Sequence, residues 1–510
     1  MNSGEKQPLS DHDNEDALSL IRIVDELSDC KRVSYLRALA DRLTGDESRV
    51  LLELLRERHC VDPLLGLPVD LRMKIVRLLD RSALSNLLQV NRRWFDCLSQ
   101  DDALWWERLS RLSVKPPAHG GSLLTQCSAV YRWEQRLQQH WQGGDGRSMT
   151  IDCAHGSSVI TCMELDEESQ RIITGSDDGT VGIWDMRTAK VIKILAGHSG
   201  GVWNLCRLWG DLVISGSTDR TLILWNIRSG ARLQDFIGHS STIRCVLAVD
   251  GLEPGSKLVV SGSRDGTLRV WDVKTGSCLH LLTGHAASVR CMTLWKGRRG
   301  IVISGSYDHT LRVWNIYTGQ CLRVLEGHDG KIYSVASSRR LVFSGSIDAK
   351  IRVWEPLSGK CLAVLDHHAG LVGLLHARNN LLVSGSTDGS VAIYRISKTK
   401  TRHIGHLPNA HRTAVTALDH NGRVALVTGS ERAIMLWPLA AIIKQYTQAA
   451  HQKNSPQQHQ QHPVLSPICL SSSCDVVWRV SVSATTAVLA YQQGGTTRLE
   501  IIDYSPSKFT

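Results

Sequence analysis

No two of the fourteen cysteines in this 510-residue chain stand in a CxxC spacing, so a zinc site has no support. No run of about 18 uncharged apolar residues occurs, which argues against a membrane-spanning helix. The opening residues, MNSGEKQPLSDHDNED, lack the apolar core of a signal peptide. The expected setting is therefore nuclear or cytoplasmic, where thiols stay reduced. No nucleophile–base or metal-ligand spacing is visible either, so an enzyme is the least favoured function class, and no metal or cofactor is called for. Cys278, Cys321 and Cys361 each follow a TGS, TGQ or SGK turn and recur with a repeat, as buried small apolar residues would.

What the chain does have is an ordinary soluble composition, 42% hydrophobic and 21% charged, over a length that exceeds one hydrophobic core. Several domains or a repeat architecture follow. The net charge of +10 is compatible with a nucleic acid, an acidic membrane surface or an acidic protein partner. What decides among these is whether the charge is diffuse or focused.

Residues 1–15 are polar and expected to be disordered. In the helical segment 16–62, Leu36, Leu39 and Leu43 share one face, Gly45 interrupts, and Leu51, Leu52, Leu54 and Leu55 follow. Such short amphipathic helices need a surface to pack on, another domain or a second copy of themselves. From 63 to 110, Pro68 stands where a helix should begin, and Leu71, Ile75, Leu78 and Leu79 follow at helical spacing. This segment holds more large apolar side chains than so short a stretch buries alone, so part of its surface is expected to meet a partner. The order Leu67, Pro68, Leu71, Ile75, Leu78, Leu79, Leu84, Val90, Trp94, Leu104 and Trp105 resembles the F-box. That resemblance implies docking on a Skp-type adaptor. Within 111–148, a helical stretch with Tyr131, Trp133, Leu137 and Trp141 reads as a stiff linker.

From His155 onward the chain is periodic. His155, His198, His239, His285, His328, His368 and His411 are 43, 41, 46, 43, 40 and 43 residues apart. An aromatic follows each by about 30 residues, and SGS or TGS with an aspartate lies between in most repeats. The pattern resembles the WD40 signature, four strands per blade. In the second repeat, His198, Ser215, Asp219 and Trp225 can form one buried hydrogen-bonded set, so these histidines and aspartates are structural rather than catalytic. After a Gln/His-rich loop at 447–465, VVWRVSVSATTAVLAY and RLEIIDY alternate as three more strands. Met149 to Cys153 supplies a fourth, which predicts eight blades within 149–507.

Two kinds of position escape the template: the residue after the apolar start of each innermost strand, and the residue before the turn aspartate. Arg244, Arg264, Arg290, Trp203, Tyr307 and Tyr333 fall there, on blades two to five, with Arg220 just after its turn aspartate. The charge is focused. Arginines beside aromatics make an anion site suited to a phosphorylated Ser or Thr, which carries about −1.5 to −2 charges.

The order of helical segment, F-box, linker and propeller resembles the archipelago/Fbw-type F-box–WD40 receptors. The resemblance implies a mainly β fold, an eight-bladed WD40 β-propeller preceded by an all-α F-box and helical linker. It implies phosphodegron binding through Trp203, Thr218, Arg220, Ser241, Thr242, Arg244, Arg264, Arg290, Tyr307, Tyr333 and Arg479, with Arg244, Arg264 and Arg290 on the principal phosphate. The partners implied are a Skp-type adaptor, through it a cullin–RING ligase, phosphorylated protein substrates and a second copy of the chain through 16–62. Neither nucleic acid nor membrane is expected. A non-ligase WD40 scaffold is the alternative. The terminal hairpin YQQGGTTR is shorter than the family's and lacks its basic residue, so a secondary phosphate contact is not among those the resemblance implies.

Overall fold

The computed structural model describes residues 126–152, 154–397, 400–452 and 467–506, and Val76. The start 1–15, the helical segment 16–62 and, apart from Val76, the F-box-like segment 63–110, with all eleven candidate adaptor contacts, lie outside the described residues. The chain divides into two compact units, 1–135 and 136–510. The second holds every described strand.

Helix α1, Gln126–Gly143, ends at Gly144, whose φ of +73° is the left-handed turn that stops a helix. Three residues on, the first strand begins, Arg147–Asp152. The end of α1 is fixed to the propeller by Trp141, which is 1% exposed, stacks on Tyr504 at 3.9 Å between ring centres and donates its indole N–H to Ala484 O at 3.1 Å.

Eight four-stranded antiparallel sheets follow. In each, the strand that comes first after the blade's histidine, or Val476–Val482 in blade eight, neighbours the corresponding strand of the sheets on both sides. The ring closes because the strand of blade eight neighbours Ile160–Asp166 of blade one. Blade eight is a composite. Its first three strands, Val476–Val482, Thr486–Gln493 and Thr496–Asp503, come from the end of the chain, and Arg147–Asp152 adds the outermost, with Ile151 opposite Leu499. This matches the expected closure.

The hydrophobic core lies between blades, because each sheet is too small to bury its own faces. Ile173, Val181 and Ile183 of blade one pack against Val202, Val213 and Trp225 of blade two, all buried. The same packing seals the ring, with Ile172 and Trp184 against Val488 and Leu499.

The recurrent polar residues are satisfied as a set. His198 Nδ1 meets Asp219 at 2.8 Å, its Nε2 meets Ser215 Oγ at 2.7 Å, and the Trp225 indole N–H donates to the same hydroxyl at 2.8 Å. Asp219 also accepts the backbone N–H groups of Ser199 and Thr221. Blade seven, which lacks the aspartate, substitutes Ser430, whose hydroxyl lies 2.8 Å from His411 Nδ1. Blade six carries Tyr394 in place of the tryptophan, and His367, where blades two to five have glycine, stacks on His403 at 4.0 Å.

Two expectations are corrected. The stretch read as a loop at 447–465 is entered by helix α2, Leu439–Gln452, which buries Leu439 and Ile442 against Ile404. Residues 453–466 lie outside the described residues, and the chain returns as Ile468–Ser471, the fourth strand of blade seven. Cys278, Cys321 and Cys361 are exposed rather than buried. They stand at the first or second residue of the outermost strand of blades three to five, where one edge faces solvent, and their sulfurs lie 3.7 to 3.9 Å from the guanidinium groups of Arg269, Arg312 and Arg352.

Candidate functional site

The innermost strands share a local irregularity at their start. The register with the second strand shifts between Val202 and Asn204, Ile243 and Cys245, Val289 and Cys291, and Ile332 and Ser334. The skipped residues are Trp203, Arg244, Arg290 and Tyr333. A bulge leaves its extra residue out of the ladder and re-aims its side chain, which is why the template leaves this position free.

A backbone clamp joins the second free position to the first. Thr218 N–H donates to Gly201 O, Arg264 N–H to Thr242 O and Tyr307 N–H to Ser288 O, at 2.9, 2.9 and 3.0 Å. Each accepting carbonyl lies two residues before the bulged residue. Both free positions therefore open on one rim of the propeller. The SGS serine adds a second tie, since Ser263 Oγ donates to Ser241 O at 3.0 Å.

On that rim, Arg244 lies over the Trp203 ring at 4.8 Å from its centre, and Tyr307 and Tyr333 meet at 5.1 Å. Arg244, Arg290, Thr218, Ser241 and Thr242 are half-buried, while Arg220 and Arg264 are exposed. Burial holds the Arg244 pKa below its ordinary value, and the positive charges of Arg290 and Arg264 lower it further. Burial likewise lowers Arg479, with Arg290 contributing. Arg290 stands on blade four and Arg479 on blade eight, which face each other across the ring. Arg479 commits Nε to Thr161 O at 2.7 Å and Nη1 to Trp478 O at 3.2 Å, which leaves it other N–H donors. Among the described residues, no carboxylate lies within 4 Å of the guanidinium nitrogens of Arg220, Arg244, Arg264, Arg290 or Arg479. Arg244 Nε and Trp203 Nε1 are buried without a hydrogen-bond partner.

The rim is thus an unneutralised cluster of cations beside aromatic faces and free hydroxyls, able to take an anion with apolar neighbours. Sequence reasoning missed Lys331, whose ammonium lies 5.4 Å from the centre of the Tyr307 ring. It occupies in blade five the position of Thr242 in blade three, which was the available signal. It also assigned Arg479 without its neighbour Trp478, the bulged residue of blade eight.

The model of the WD domain, G-beta repeat, matches 146–185, 189–226, 230–272, 276–315, 319–355 and 359–395. F-box/WD repeat-containing protein 7 of Drosophila melanogaster is 32% identical over 188 residues, 35% of this chain and 14% of that protein. F-box/WD repeat-containing protein sel-10 of Caenorhabditis elegans is 32% identical over 224 residues, 36% of this chain and 38% of that protein. Blades one to six are thus WD40 repeats, and the relatives they resemble are F-box/WD repeat proteins. Among solved structures, the computationally designed Ika8 protein matches with a TM-score of 0.54 and 29% identity, over 68% of this chain and 98% of that one. These matches span well under half the length of the two F-box/WD relatives. The six matched repeats are blades one to six, so blades seven and eight of this chain are assigned by the strand pairing.

Proposed function

We propose that this chain is the substrate-recognition subunit of an SCF-type ubiquitin ligase, with the propeller rim binding a phosphorylated degron. The observation that carries the reading is the convergence of Arg244, Arg264 and Arg290 on one rim without a carboxylate partner among the described residues. A phosphate dianion supplies the missing charge, and guanidinium groups engage it with paired hydrogen bonds. Trp203, Tyr307 and Tyr333 supply faces for a proline or aliphatic neighbour of the phosphate. Thr218, Arg220, Ser241, Thr242 and Arg479 complete the contact set.

In this reading the chain does no covalent chemistry. The F-box-like residues, from Leu67 and Pro68 to Leu104 and Trp105, hold a Skp-type adaptor and through it the cullin–RING core. The propeller raises the effective concentration of a substrate lysine near the charged ubiquitin-conjugating enzyme. Selectivity comes from the unphosphorylated degron leaving the arginine charges unpaired. Homodimerisation through 16–62 belongs to the same proposal.

Two experiments test it. A phosphothreonine-proline peptide should bind the full chain at least a hundredfold more tightly than its unphosphorylated form. Co-purification of the Skp-type adaptor should be lost on changing Leu67 and Pro68 together. Failure of the wild-type chain to co-purify the adaptor leaves a WD40 scaffold as the better reading.

A further inference from the structure

The opposite face of the propeller carries a second built groove, between blades four and five. The strand Val289–Leu294 starts at the arginine rim and ends next to Trp295. The five residue steps from Arg290 to Trp295, at roughly 3.3 Å each, put Trp295 about 17 Å below that rim. Trp295 is 8% exposed, and its indole N–H has no hydrogen-bond partner. Its backbone N–H donates to Ile301 O at 2.9 Å, closing the loop 295–300.

This indole lines a groove of about 710 Å³ whose other apolar walls are Leu341, Leu357 and Leu362. That volume lies within the roughly 300–1,000 Å³ of ordinary ligand sites. The groove is shaped by a close approach of two loops. A Cβ on Gly297 would collide with the Arg339 carbonyl oxygen and with the Trp295 ring, so only glycine lets the blade-four loop lie against the blade-five loop.

Those two loops carry Lys296, Arg298, Arg299, Arg339 and Arg340, all exposed, and none forms an ion pair among the described residues. The acids nearby are already engaged. Glu355 on the far wall accepts the Ser358 hydroxyl at 2.6 Å, and Asp250, which feels Arg299, is ion-paired with Lys257.

We propose that this groove docks an acidic protein segment carrying one large apolar side chain. The leucine walls call for an apolar group, and the orphan indole N–H calls for a carbonyl or carboxylate acceptor. The cations are spread along two loops and are all exposed, whereas Arg244 and Arg290 of the other rim are half-buried. Spread charge fits several carboxylates along a chain better than one phosphate dianion. Concave leucine walls also lack the run of aromatic faces that single-stranded nucleic acid stacks on. The groove is separate from the arginine rim and stands or falls independently of it.

The test uses the full chain and a fluorescein-labelled peptide Asp-Glu-Asp-Leu-Phe-Glu-Asp-Glu, followed by anisotropy. Changing Arg339→Glu and Arg340→Glu together should weaken it at least tenfold, and replacing Leu-Phe by Ser-Ser in the peptide should cost a similar factor. Both arginines are exposed and unbonded, so an unchanged thermal midpoint checks the fold, and unchanged binding of a phosphothreonine-proline peptide checks the other rim. Arg244→Ala should leave the acidic peptide unaffected. No binding to the wild type at millimolar peptide overturns the proposal, as does indifference to the double change or to the Ser-Ser peptide. A single-stranded RNA of equal charge that binds as tightly, and is lost with the same double change, also overturns it and makes the face a general polyanion surface.

Discussion

The guanidinium of Arg244 lies 4.8 Å from the centre of the Trp203 ring, on the neighbouring blade, with its Nε buried and unbonded. The ring holds the cation in place without neutralising it, which suits an arginine that must wait for an anion. Trp203→Leu keeps much of the bulk and removes the ring. A cation–π contact contributes about 0.5–2 kcal/mol. The change should weaken phosphopeptide binding roughly two- to thirtyfold and leave the fold intact, as read by titration calorimetry and circular dichroism.

Arg220 has φ +75°, at the turn position where blades one, three and six carry Gly179, Gly266 and Gly389. Arg220→Gly relieves this strain, so the thermal midpoint should stay level or rise, with a gain of up to about 1 kcal/mol. Phosphopeptide affinity should fall. A change that lowers the midpoint and leaves affinity untouched contradicts a binding role for Arg220.

Most of the frame was legible in the sequence. His198, Ser215, Asp219 and Trp225 are required together because a buried polar set must be complete, and that requirement is visible as a spacing. The eighth blade was legible because the alternating strands at the end were one short of a sheet and the start of the repeat region had one to spare. The rest was hidden for physical reasons. A bulge has no residue signature, so the re-aiming of Trp203 and Arg244 follows only from the register. The exposure of Cys278 depends on which strand is the edge, and periodicity does not report it. Helix α2 was obscured by its glutamines, although Leu439, Ile442 and Ile443 have helical spacing.

Trp141 joins the linker helix to the closing blade, stacked on Tyr504 and bonded to Ala484 O. Trp141→Ala leaves a cavity and an unpaired carbonyl, at a cost of about 3–5 kcal/mol. The thermal midpoint should fall, and limited proteolysis should cut near residues 144–146 first. Trp141→Phe should recover most of the loss.

Acid should destabilise the propeller before its carboxylates protonate. Burial, the largest cause in each case, pushes the His368, His403, His411 and His420 pKa values down to about 4. Between about 4 and the unfolded value of about 6.5, the unfolded chain binds more protons than the folded one. Stability from these groups is therefore full above pH 6.5 and drains away as pH falls toward 4. Asp388 sits at about 2, because bonds from Ser390 and the Ala369 N–H outweigh its burial, and its contribution is lost only below the ordinary carboxylate range. The thermal midpoint should be flat from pH 8 to 7 and drop by about 5 °C or more between pH 6.5 and 5. His403→Asn should flatten that slope.

The central claim is that Arg244, Arg264 and Arg290 form one phosphate-reading rim. Titration calorimetry of a phosphothreonine-proline peptide and its unphosphorylated form, against the wild type and Arg244→Ala, tests it most directly. The account predicts tight binding only for the phosphorylated peptide on the wild type, with Arg244→Ala losing at least tenfold. Equal affinity in all four combinations would contradict it.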